Sequence, residues 1–471
     1  MPFTVSGSLI LAIAFFVALF HQKWSYALSV FFIPFTATAV ANTDFGDGAA
    51  LQVPTAVGAI WMIQQAFFIL RRDYKFARLS GSFMLLLFLG VAIVSAVVMP
   101  LWIDGAIAVR YPSLDFFEET PLTFRGQNVT QTGYLAFGVL FALFVGNHAR
   151  KADLLRASLR VYVISGAFVA LWGIYQFIVY RLSLPYPEVL FNNSIDPSVL
   201  GALKQEFRAL ELRRLTSVQV GPYALSKYLL TVLSVLAAHV VTGVPLLRPR
   251  VDFAVLLLVV TTLVLSTSFS AYIGIVALGV LFLLITPVLR LRRVLEATTL
   301  GLILALTIFY VAWVSSPGFV TAFERIVLEK FGSSSAGERW LSVVIATEYF
   351  EMYPLLGLGF GTTFCHDTVV FLLVNVGIIG FTAFFFAVII PFRKAMVRII
   401  VMRDHFRMHP TLYATCLSII ISFGLMIFLD LFTGFTFVYL HFWFWLGMLM
   451  AIATLTEPRE KDRYGIATQE A

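Results

Sequence analysis

The residues best suited to chemistry lie in one polar stretch of an otherwise apolar chain. The sequence runs Gly337-Glu338-Arg339-Trp340, continues through the turn-forming segment 353–359 and reaches His366 just before a new apolar run. An imidazole with an ordinary pKa of about 6.5 can act as a general base near neutral pH. The alternative is a structural histidine that hydrogen-bonds a loop carbonyl. Arginine, glutamate and histidine kept together at one membrane surface predict chemistry or recognition there.

A second basic segment precedes another apolar run. Arg213 and Arg214 are followed by Gly221-Pro222-Tyr223, and a proline in the first turn is a helix-start signal. Guanidinium groups beside a helix start suit phosphate, since their planar fork binds two phosphate oxygens at once. The alternative is that both arginines extend to lipid headgroups, as Lys227, about one turn into the helix, is expected to do.

A helix is predicted around Arg339. Ser335-Ala-Gly-Glu338 is a capping-box pattern that predicts a helix start at about residue 336. Arg339, Val343 and Ala346 then share one face, because residues three and four apart are neighbours on a helix. Met352-Tyr-Pro354 is expected to end this helix.

A glycine series follows that helix. Its members are Gly357, Gly359 and Gly361. They predict a flexible turn whose backbone amides could approach a ligand. A tight structural turn explains the same glycines equally well.

Polar residues also occur within or between the other apolar runs. Asp430 and His441 are costly in a membrane and are therefore functional candidates. The expected role of His441 is a hydrogen bond between helices, and Asp430 is expected to mark the end of its span. The hydroxyl-rich break Leu265–Tyr272 is expected to cap the two helices that it joins.

Composition places all of these residues in a membrane protein. The chain has 471 residues, of which 60% are hydrophobic and 13% charged, whereas soluble domains have about 45–50% and 25%. Apolar runs of about twenty residues, the length that crosses ~30 Å of hydrocarbon, recur from end to end. The sequence therefore predicts an all-α, polytopic helical membrane protein. Cys365 and Cys416 have no metal-binding spacing, and no carboxylate cluster suggests a metal site.

Thirteen membrane spans are predicted. They are 6–21, 25–42, 51–70, 81–99, 131–147, 159–180, 223–243, 252–269, 271–289, 296–315, 366–391, 411–430 and 433–454. Most of the 33 Lys and Arg residues fall in alternate connections, which marks those connections and the C-terminus as cytoplasmic. The count falls to twelve if residues 1–42 cross once or form a re-entrant pair. Because the basic residues follow the membrane topology, no nucleic-acid partner is expected.

The predicted spans suggest three parts of the chain. Residues 1–160 form an N-terminal group of spans, residues 161–455 form a core, and residues 456–471 form a cytoplasmic tail. The core carries long connections at 181–222 and 317–365 on the outer side. Since long connections are often functional, activity is expected at the outer face or inside the bundle.

The order of features from about residue 160 to 450 resembles the O-antigen ligases and Wzy-type polysaccharide polymerases. The resemblance is carried by Arg214 to Pro222, the break Ser266–Ala271, Arg339, the Pro354–Gly359 turn, His366 and the motif Val376-Gly377-Ile-Ile-Gly380. Two positions depart from it. Phe269 follows Ser268 where the family usually has arginine, and Tyr223 follows Pro222 where asparagine is often found.

The resemblance implies a GT-C-type helical fold in the bacterial inner membrane. Members of this family transfer a glycan from an undecaprenyl-diphosphate carrier to an acceptor hydroxyl, with no metal or other cofactor. The implied partners are the lipid-linked oligosaccharide, membrane lipid and proteins of polysaccharide assembly and export.

The resemblance also implies roles for individual residues. Arg214 and Arg339 would hold the diphosphate and neutralise the charge that develops on the leaving group. His366 would orient or deprotonate the acceptor hydroxyl. Arg213 or Lys227 would substitute for the missing arginine. Supporting residues would be Glu338 and Asp367.

Polymerase and ligase differ in their acceptor, and both remain open at this point. A second class is a transporter or flippase in which Arg214 and Arg339 gate the substrate, and a third is a structural subunit of an export complex. A transporter predicts charges along a path through the bilayer. The charges of this chain concentrate at one face instead, which favours the transferase.

Overall fold

The fold is known from a computed structural model of the chain. It describes residues 3–42, 50–71, 76–110, 119–195, 206–207, 212–289, 334–404, 408–433 and 437–455, together with short helical pieces between 301 and 324. The predicted tail 456–471 and most of 317–333 lie outside the described residues, as does the first part of the predicted span 296–315.

Fourteen helices are labelled in the described residues. They are α1 (Val5–Phe20), α2 (Gln22–Phe32), α3 (Val53–Leu70), α4 (Ser82–Ile103), α5 (Gly126–His148), α6 (Ala152–Arg181), α7 (Glu188–Phe191), α8 (Pro222–Thr242), α9 (Pro249–Leu265), α10 (Phe269–Leu289), α11 (Ser334–Met352), α12 (Thr368–Asp404), α13 (Pro410–Thr433) and α14 (Leu440–Ala453). Three short antiparallel pairs accompany them: β1 (Ala39–Asn42) with β2 (Ala50–Gln52), β3 (Ala108–Val109) with β4 (Thr120–Pro121), and β5 (Glu206–Phe207) with β6 (Leu212–Arg213). The chain is thus mostly helical, with small hairpins that the all-α prediction did not include.

Seven of the described helices are long and apolar enough to cross a membrane. They are α3, α4, α5, α6, α8, α12 and α13. Each coincides with a predicted span, although α12 continues past the predicted end at 391 to Asp404. α1, α10 and α14 are shorter apolar helices. The domain boundary drawn at residue 160 falls inside the continuous helix α6.

The centre of the bundle consists of α8, α13 and α14, which are buried along most of their length. α8 packs on α13, α14 on α5, and α12 on α4. The close approach of α5 to α14 depends on a small residue, since a Cβ at Gly138 of α5 would lie 2.0 Å from Trp443 Nε1 of α14. α4 and α10 expose large apolar side chains such as Leu101 and Val276, which suits helices that face lipid.

A buried hydrogen-bond network joins α6, α8 and α14. The Tyr162 hydroxyl lies 2.7 Å from His441 Nε2 and 2.6 Å from Thr231 Oγ1. Trp445 Nε1 lies 3.1 Å from His441 Nε2. The expectation that His441 forms a hydrogen bond between helices is confirmed.

The predicted span 25–42 is wrong. Helix α2 ends at Phe32, and the chain turns at Pro34, whose ring removes a backbone donor and disfavours helix at the preceding residue. The following segment is bonded to the connection before α8. Ala37 N–H donates to the Val218 carbonyl at 3.1 Å, and Thr36 Oγ1 donates to Gln219 Oε1 at 3.0 Å. These distant bonds replace the helix that the apolar composition predicted.

Candidate functional site

The turn Pro354–Gly359 is inserted into a break in α12. Gly377 has φ 64° and ψ −172°, so the helical hydrogen-bond ladder is interrupted there. The released groups bond to the turn: Leu358 N–H donates to the Val374 carbonyl at 2.7 Å, and Ile378 N–H donates to a turn carbonyl at 2.8 Å. Two motifs that are separate in the sequence therefore form one unit.

Polar side chains from three helices hold the same turn. Ser95 of α4 hydrogen-bonds the backbone of the turn at 2.7 Å, and Asn128 of α5 and Asn375 of α12 hydrogen-bond the two residues that follow it, 360 and 361, at 3.0 and 3.2 Å. Residues 357–363 are buried. The prediction of a flexible turn with amides open to a ligand is wrong, because the glycines serve positive φ angles and close packing. The turn is instead a packed support for the residues that follow it.

His366 follows this support and is held by a serine of α11. The His366 Nδ1 atom lies 3.1 Å from Ser342 Oγ, and the His366 backbone N–H donates to the same oxygen at 3.3 Å. The Ser342 hydroxyl donates to the Arg339 carbonyl at 2.7 Å. When the Ser342 hydroxyl donates to the Arg339 carbonyl, its bond to Nδ1 requires a hydrogen on Nδ1. This arrangement favours the imidazole tautomer that can accept a proton through Nε2.

Arg339 and Arg214 reach the same site from different connections. Arg339 lies three residues before Ser342 on α11, Arg214 lies before α8, and both side chains are half-buried. Burial lowers the pKa of Arg214 to about 10, and the charge of Arg339 contributes to this shift while Tyr272 opposes it. Burial also lowers the pKa of Arg339. A bound anion would offset both the desolvation and the repulsion of these guanidinium groups.

Side-chain hydrogen bonds from Gln176 of α6 and from Asn192 hold the segment that follows Arg214. Gln176 Oε1 accepts from the N–H groups of Thr216 and Ser217 at 2.9 and 2.8 Å. Asn192 Nδ2 donates to the Ser217 carbonyl at 2.9 Å. Because this backbone is bonded from two directions, Arg214 projects from a fixed support.

A tyrosine accompanies each arginine. Tyr272 in α10 interacts with Arg214, and its hydroxyl donates to a carbonyl of α9 at 3.0 Å. Tyr223 in the first turn of α8 interacts with Arg339. Lys227 Nζ lies 5.9 Å from the centroid of the Tyr223 ring, a cation–π distance.

Lys227 is buried, so the prediction that it reaches lipid headgroups is wrong. Its Nζ lies 2.5 Å from Asp430 Oδ1 of α13. The Asp430 carbonyl accepts from the Thr368 hydroxyl at 2.6 Å, and Thr368 is the first residue of α12, two residues after His366. Asp430 therefore links the cation of α8 to the helix that begins beside the site, and is more than the marker of a span end. A contact between Lys227 and a diphosphate stays a prediction.

The remaining predicted site residues occupy different positions. The Arg213 backbone belongs to β6, but its side chain lies outside the described residues. Glu338 is exposed on α11, one turn after the helix begins at Ser334. Asp367 caps α12, since its Oδ1 accepts from the Val370 N–H at 2.9 Å. Asp367 thus supports the helix start next to His366.

The hydroxyl-rich break has the expected structural role. The chain leaves α9 at Leu265 and starts α10 at Phe269. The hydroxyls of Ser266 and Thr267 both donate to nearby backbone carbonyls, at 2.7 and 2.8 Å. They satisfy the helix end rather than a ligand.

Sequence reasoning missed Ser342, Asn375, Gln176 and Tyr272. Two of them had a detectable signal: Ser342 lies one turn from Arg339, and Asn375 is a polar residue two positions before Gly377 in an apolar run. Gln176 and Tyr272 had none, because the backbone that Gln176 binds and the Arg214 charge near Tyr272 lie far from them in the chain.

Fold and site together define a mostly helical protein in which seven of the helices between residues 53 and 431 that the structure describes are able to cross a membrane, with Arg214, Arg339 and His366 just outside them. Among the described residues, no group of three or more His, Cys, Asp or Glu side chains could hold a metal ion. Comparison with protein-family models and with curated proteins gives no match. The function therefore has to be argued from the site.

Proposed function

We propose that this protein is a membrane glycosyltransferase that moves a glycan from an undecaprenyl-diphosphate carrier to an acceptor hydroxyl. One observation carries the proposal: half-buried Arg214 is close enough to Arg339 for the Arg339 charge to lower its pKa, and Ser342 joins the Arg339 backbone carbonyl to the imidazole of His366. Such a site combines groups for a phosphate anion with a group for a proton. The resemblance of the motifs to O-antigen ligases and polysaccharide polymerases supports the same reaction.

In the proposed reaction, the acceptor oxygen attacks the anomeric carbon of the first sugar. The new glycosidic C–O bond forms while the bond from that carbon to the diphosphate oxygen breaks, and its electron pair remains on the diphosphate. Arg214 and Arg339 stabilise this leaving group, and His366 Nε2 accepts the hydroxyl proton. The arginines supply the positive charge, so the proposal includes no metal or other cofactor.

We further propose a GT-C-type arrangement of twelve spans in the bacterial inner membrane, with the site on the outer face and the C-terminus in the cytoplasm. The charge distribution of the connections supports this orientation. Single cysteines at the exposed positions Gly337 and Arg250 test it in a variant without the native cysteines. A membrane-impermeant maleimide should label position 337 in intact inner-membrane spheroplasts and position 250 only after permeabilisation. The reverse pattern would overturn the orientation.

Turnover tests the reaction itself. Purified protein in nanodiscs would receive undecaprenyl-diphosphate oligosaccharide with and without a lipid A core acceptor. Growth of a ladder without core identifies a polymerase, and a single transfer to core identifies a ligase. Arg339→Gln and Arg214→Gln should each lower kcat by roughly 10²–10³-fold, the effect of losing one donor to a developing anion. Arg181→Gln, at an exposed position at the end of α6, is the matched control and should retain activity.

The buried Lys227–Asp430 pair favours one alternative, a transporter or flippase, because ionisable residues inside a bundle often line a substrate path. Translocation of a fluorescent lipid-linked oligosaccharide across vesicles, without glycan transfer, would support that alternative and exclude the transferase. Neither transfer nor translocation would favour the remaining possibility, a structural subunit of an export complex.

A further inference from the structure

We propose that an aromatic surface beside the segment that follows Arg214 binds the sugar rings of the glycan. This surface consists of Trp172, Tyr175, Tyr180 and Tyr186. The proposal rests on the proposed function, since a glycan is expected there only if the ligand is a lipid-linked oligosaccharide. It adds a binding site for the sugars to the groups proposed for the diphosphate and for the proton.

The four rings form one continuous group at the end of α6. Trp172 and Tyr175 are three residues apart on the helix, and their ring centroids are 5.0 Å apart. The centroid of the Tyr186 ring, from the connection after α6, lies 5.4 Å from that of Tyr180 and 6.2 Å from that of Trp172. Tyr175 is 40% exposed and the other three side chains are half-buried. The aromatic surface is therefore accessible from outside the bundle.

Gln176 connects this surface to the backbone after Arg214. Its side-chain nitrogen donates to the Tyr180 hydroxyl at 3.0 Å, and its side-chain oxygen accepts from the Thr216 N–H at 2.9 Å. Since Thr216 is two residues from Arg214, their Cα atoms are at most about 7 Å apart. The rings therefore lie next to the segment that carries the proposed diphosphate ligand.

A second chain of hydrogen bonds leads from the rings to the same segment. Trp172 Nε1 donates to the Tyr186 hydroxyl at 2.6 Å, and that hydroxyl donates to Asn192 Oδ1 at 2.9 Å. Asn192 Nδ2 then donates to the Ser217 carbonyl at 2.9 Å. These bonds fix the rings, and fixed rings lose little conformational freedom when a ligand binds.

The chemistry of these side chains suits pyranose rings. One face of a pyranose ring presents C–H groups that pack on an aromatic ring, whereas its hydroxyls need polar neighbours. Tyrosine and tryptophan offer an apolar ring with a polar group at its edge. Neighbouring rings of this kind provide stacking surfaces for a glycan that extends from the diphosphate.

Lipid headgroups are the other ligand that such rings fit, because tyrosine and tryptophan are enriched at membrane–water boundaries. The hydrogen bonds favour the glycan. Trp172 Nε1 and the Tyr186 hydroxyl donate inside the protein rather than to headgroups. Both chains of bonds also end at the backbone after Arg214, a connection that an aromatic belt in a membrane does not need.

Two probes separate the sugar contact from the diphosphate contact. Dissociation constants would be measured in nanodiscs for undecaprenyl-diphosphate oligosaccharide extracted from the native host and for undecaprenyl diphosphate, which has no sugar. Tyr175→Leu and Trp172→Leu should each weaken the first probe about tenfold and change the second by less than about twofold. Tyr175→Phe keeps the ring and should bind both probes within about threefold of the native protein. Because Tyr175 is the most exposed of the four rings, its variants keep the test valid if Trp172→Leu does not fold.

Trp102→Leu is the matched control, because Trp102 is 74% exposed in the last turn of α4, outside this aromatic surface. It should leave both constants unchanged. Equal weakening of both probes by Tyr175→Leu would overturn the sugar site, since the ring would then only support the segment after Arg214. Unchanged binding of both probes by Tyr175→Leu would overturn it as well, and the rings would then be a belt at the membrane surface. The proposed function fails by a different result: native protein that does not bind undecaprenyl diphosphate, or an Arg339→Gln variant that binds it normally.

Discussion

Ser342 Oγ lies between the Arg339 carbonyl, 2.7 Å away, and His366 Nδ1, 3.1 Å away. One hydroxyl thus connects α11, which carries Arg339, to the imidazole and favours the tautomer of His366 with its hydrogen on Nδ1. In the proposed reaction this makes Ser342 a positioning residue and His366 the base.

Replacement of these two residues should have graded effects on turnover. His366→Ala should lower kcat by roughly 10²–10⁴-fold, the range of general base catalysis. Ser342→Ala should lower kcat by about tenfold, because the imidazole remains but loses the hydrogen bond that orients it. The pH dependence of kcat should also shift in Ser342→Ala, whereas KM for the donor should change little.

Thr347→Ala is the control for that helix. Thr347 is exposed on α11, and the bond described for its hydroxyl goes to a carbonyl of the same helix. It should retain the native pH profile. If His366→Ala keeps full activity, the role of His366 as a base is wrong.

Because the turn Pro354–Gly359 packs into the break in α12, a single methyl group added at Gly377 should strongly lower the stability of the protein. A Cβ at Gly377 would lie 2.1 Å from the Leu355 carbonyl oxygen, and the residue has φ 64°. Gly377→Ala should lower the free energy of unfolding by at least about 2 kcal/mol, since strained backbone alone costs about 1–3 kcal/mol. Thermal unfolding in detergent measures this loss.

Gly424→Ala provides the comparison within a helix. A Cβ at Gly424 meets nothing within 4 Å, so alanine should be neutral or stabilising by up to about 1 kcal/mol. Equal stability of the two variants would show that the turn and α12 do not interlock.

The buried ion pair predicts strong coupling between two helices. Lys227→Met or Asp430→Asn alone should destabilise the protein by about 3–5 kcal/mol, because each leaves one buried group without its counter-charge. Combining Lys227→Met with Asp430→Leu should recover much of this loss. A double-mutant cycle on unfolding free energies measures the coupling.

The exposed pair Arg110–Glu119, with N–O distance 3.2 Å, is the control. Glu119→Gln should cost less than about 1 kcal/mol, since solvent screens the charges. Additive effects of the Lys227 and Asp430 substitutions would contradict the pairing.

The buried thiol of Cys365, next to His366, predicts that the stability of the protein falls at alkaline pH. Burial raises the pKa of Cys365 to about 11, from about 8.5 for a free thiol. Above pH 8.5 the unfolded chain loses this proton and the folded protein keeps it. The contribution of Cys365 to stability is therefore complete below pH 8.5 and is lost progressively as the pH rises to 11.

Alkylation in a Cys416→Ala background measures this effect. At pH 9, iodoacetamide should label Cys365 far more slowly in the folded protein than after denaturation. Cys365→Ser should reduce the fall of stability between pH 8.5 and 11. Equal labelling rates in the folded and denatured protein would contradict a buried, protonated thiol.

The sequence by itself determined the polytopic helical class, the long apolar helices that the described part of the chain contains, and the ends of several of them. These properties are local: the length of an apolar run, Pro222 at a helix start and Tyr353-Pro354 after a helix end act within a few residues. The sequence also indicated Arg214, Arg339 and His366, because charged and titratable side chains stand out in an apolar chain.

Only the tertiary structure decided how these residues are held. Lys227 joins Asp430 203 positions away, Gln176 clamps the segment of Arg214, and Pro34 ends a helix that its apolar surroundings favour. In the first two cases a buried polar group needs a partner, and which partner it finds depends on helix packing rather than on neighbouring residues. That is why Lys227 lies inside the bundle, although its position one turn into α8 predicted a side chain that reaches the membrane surface.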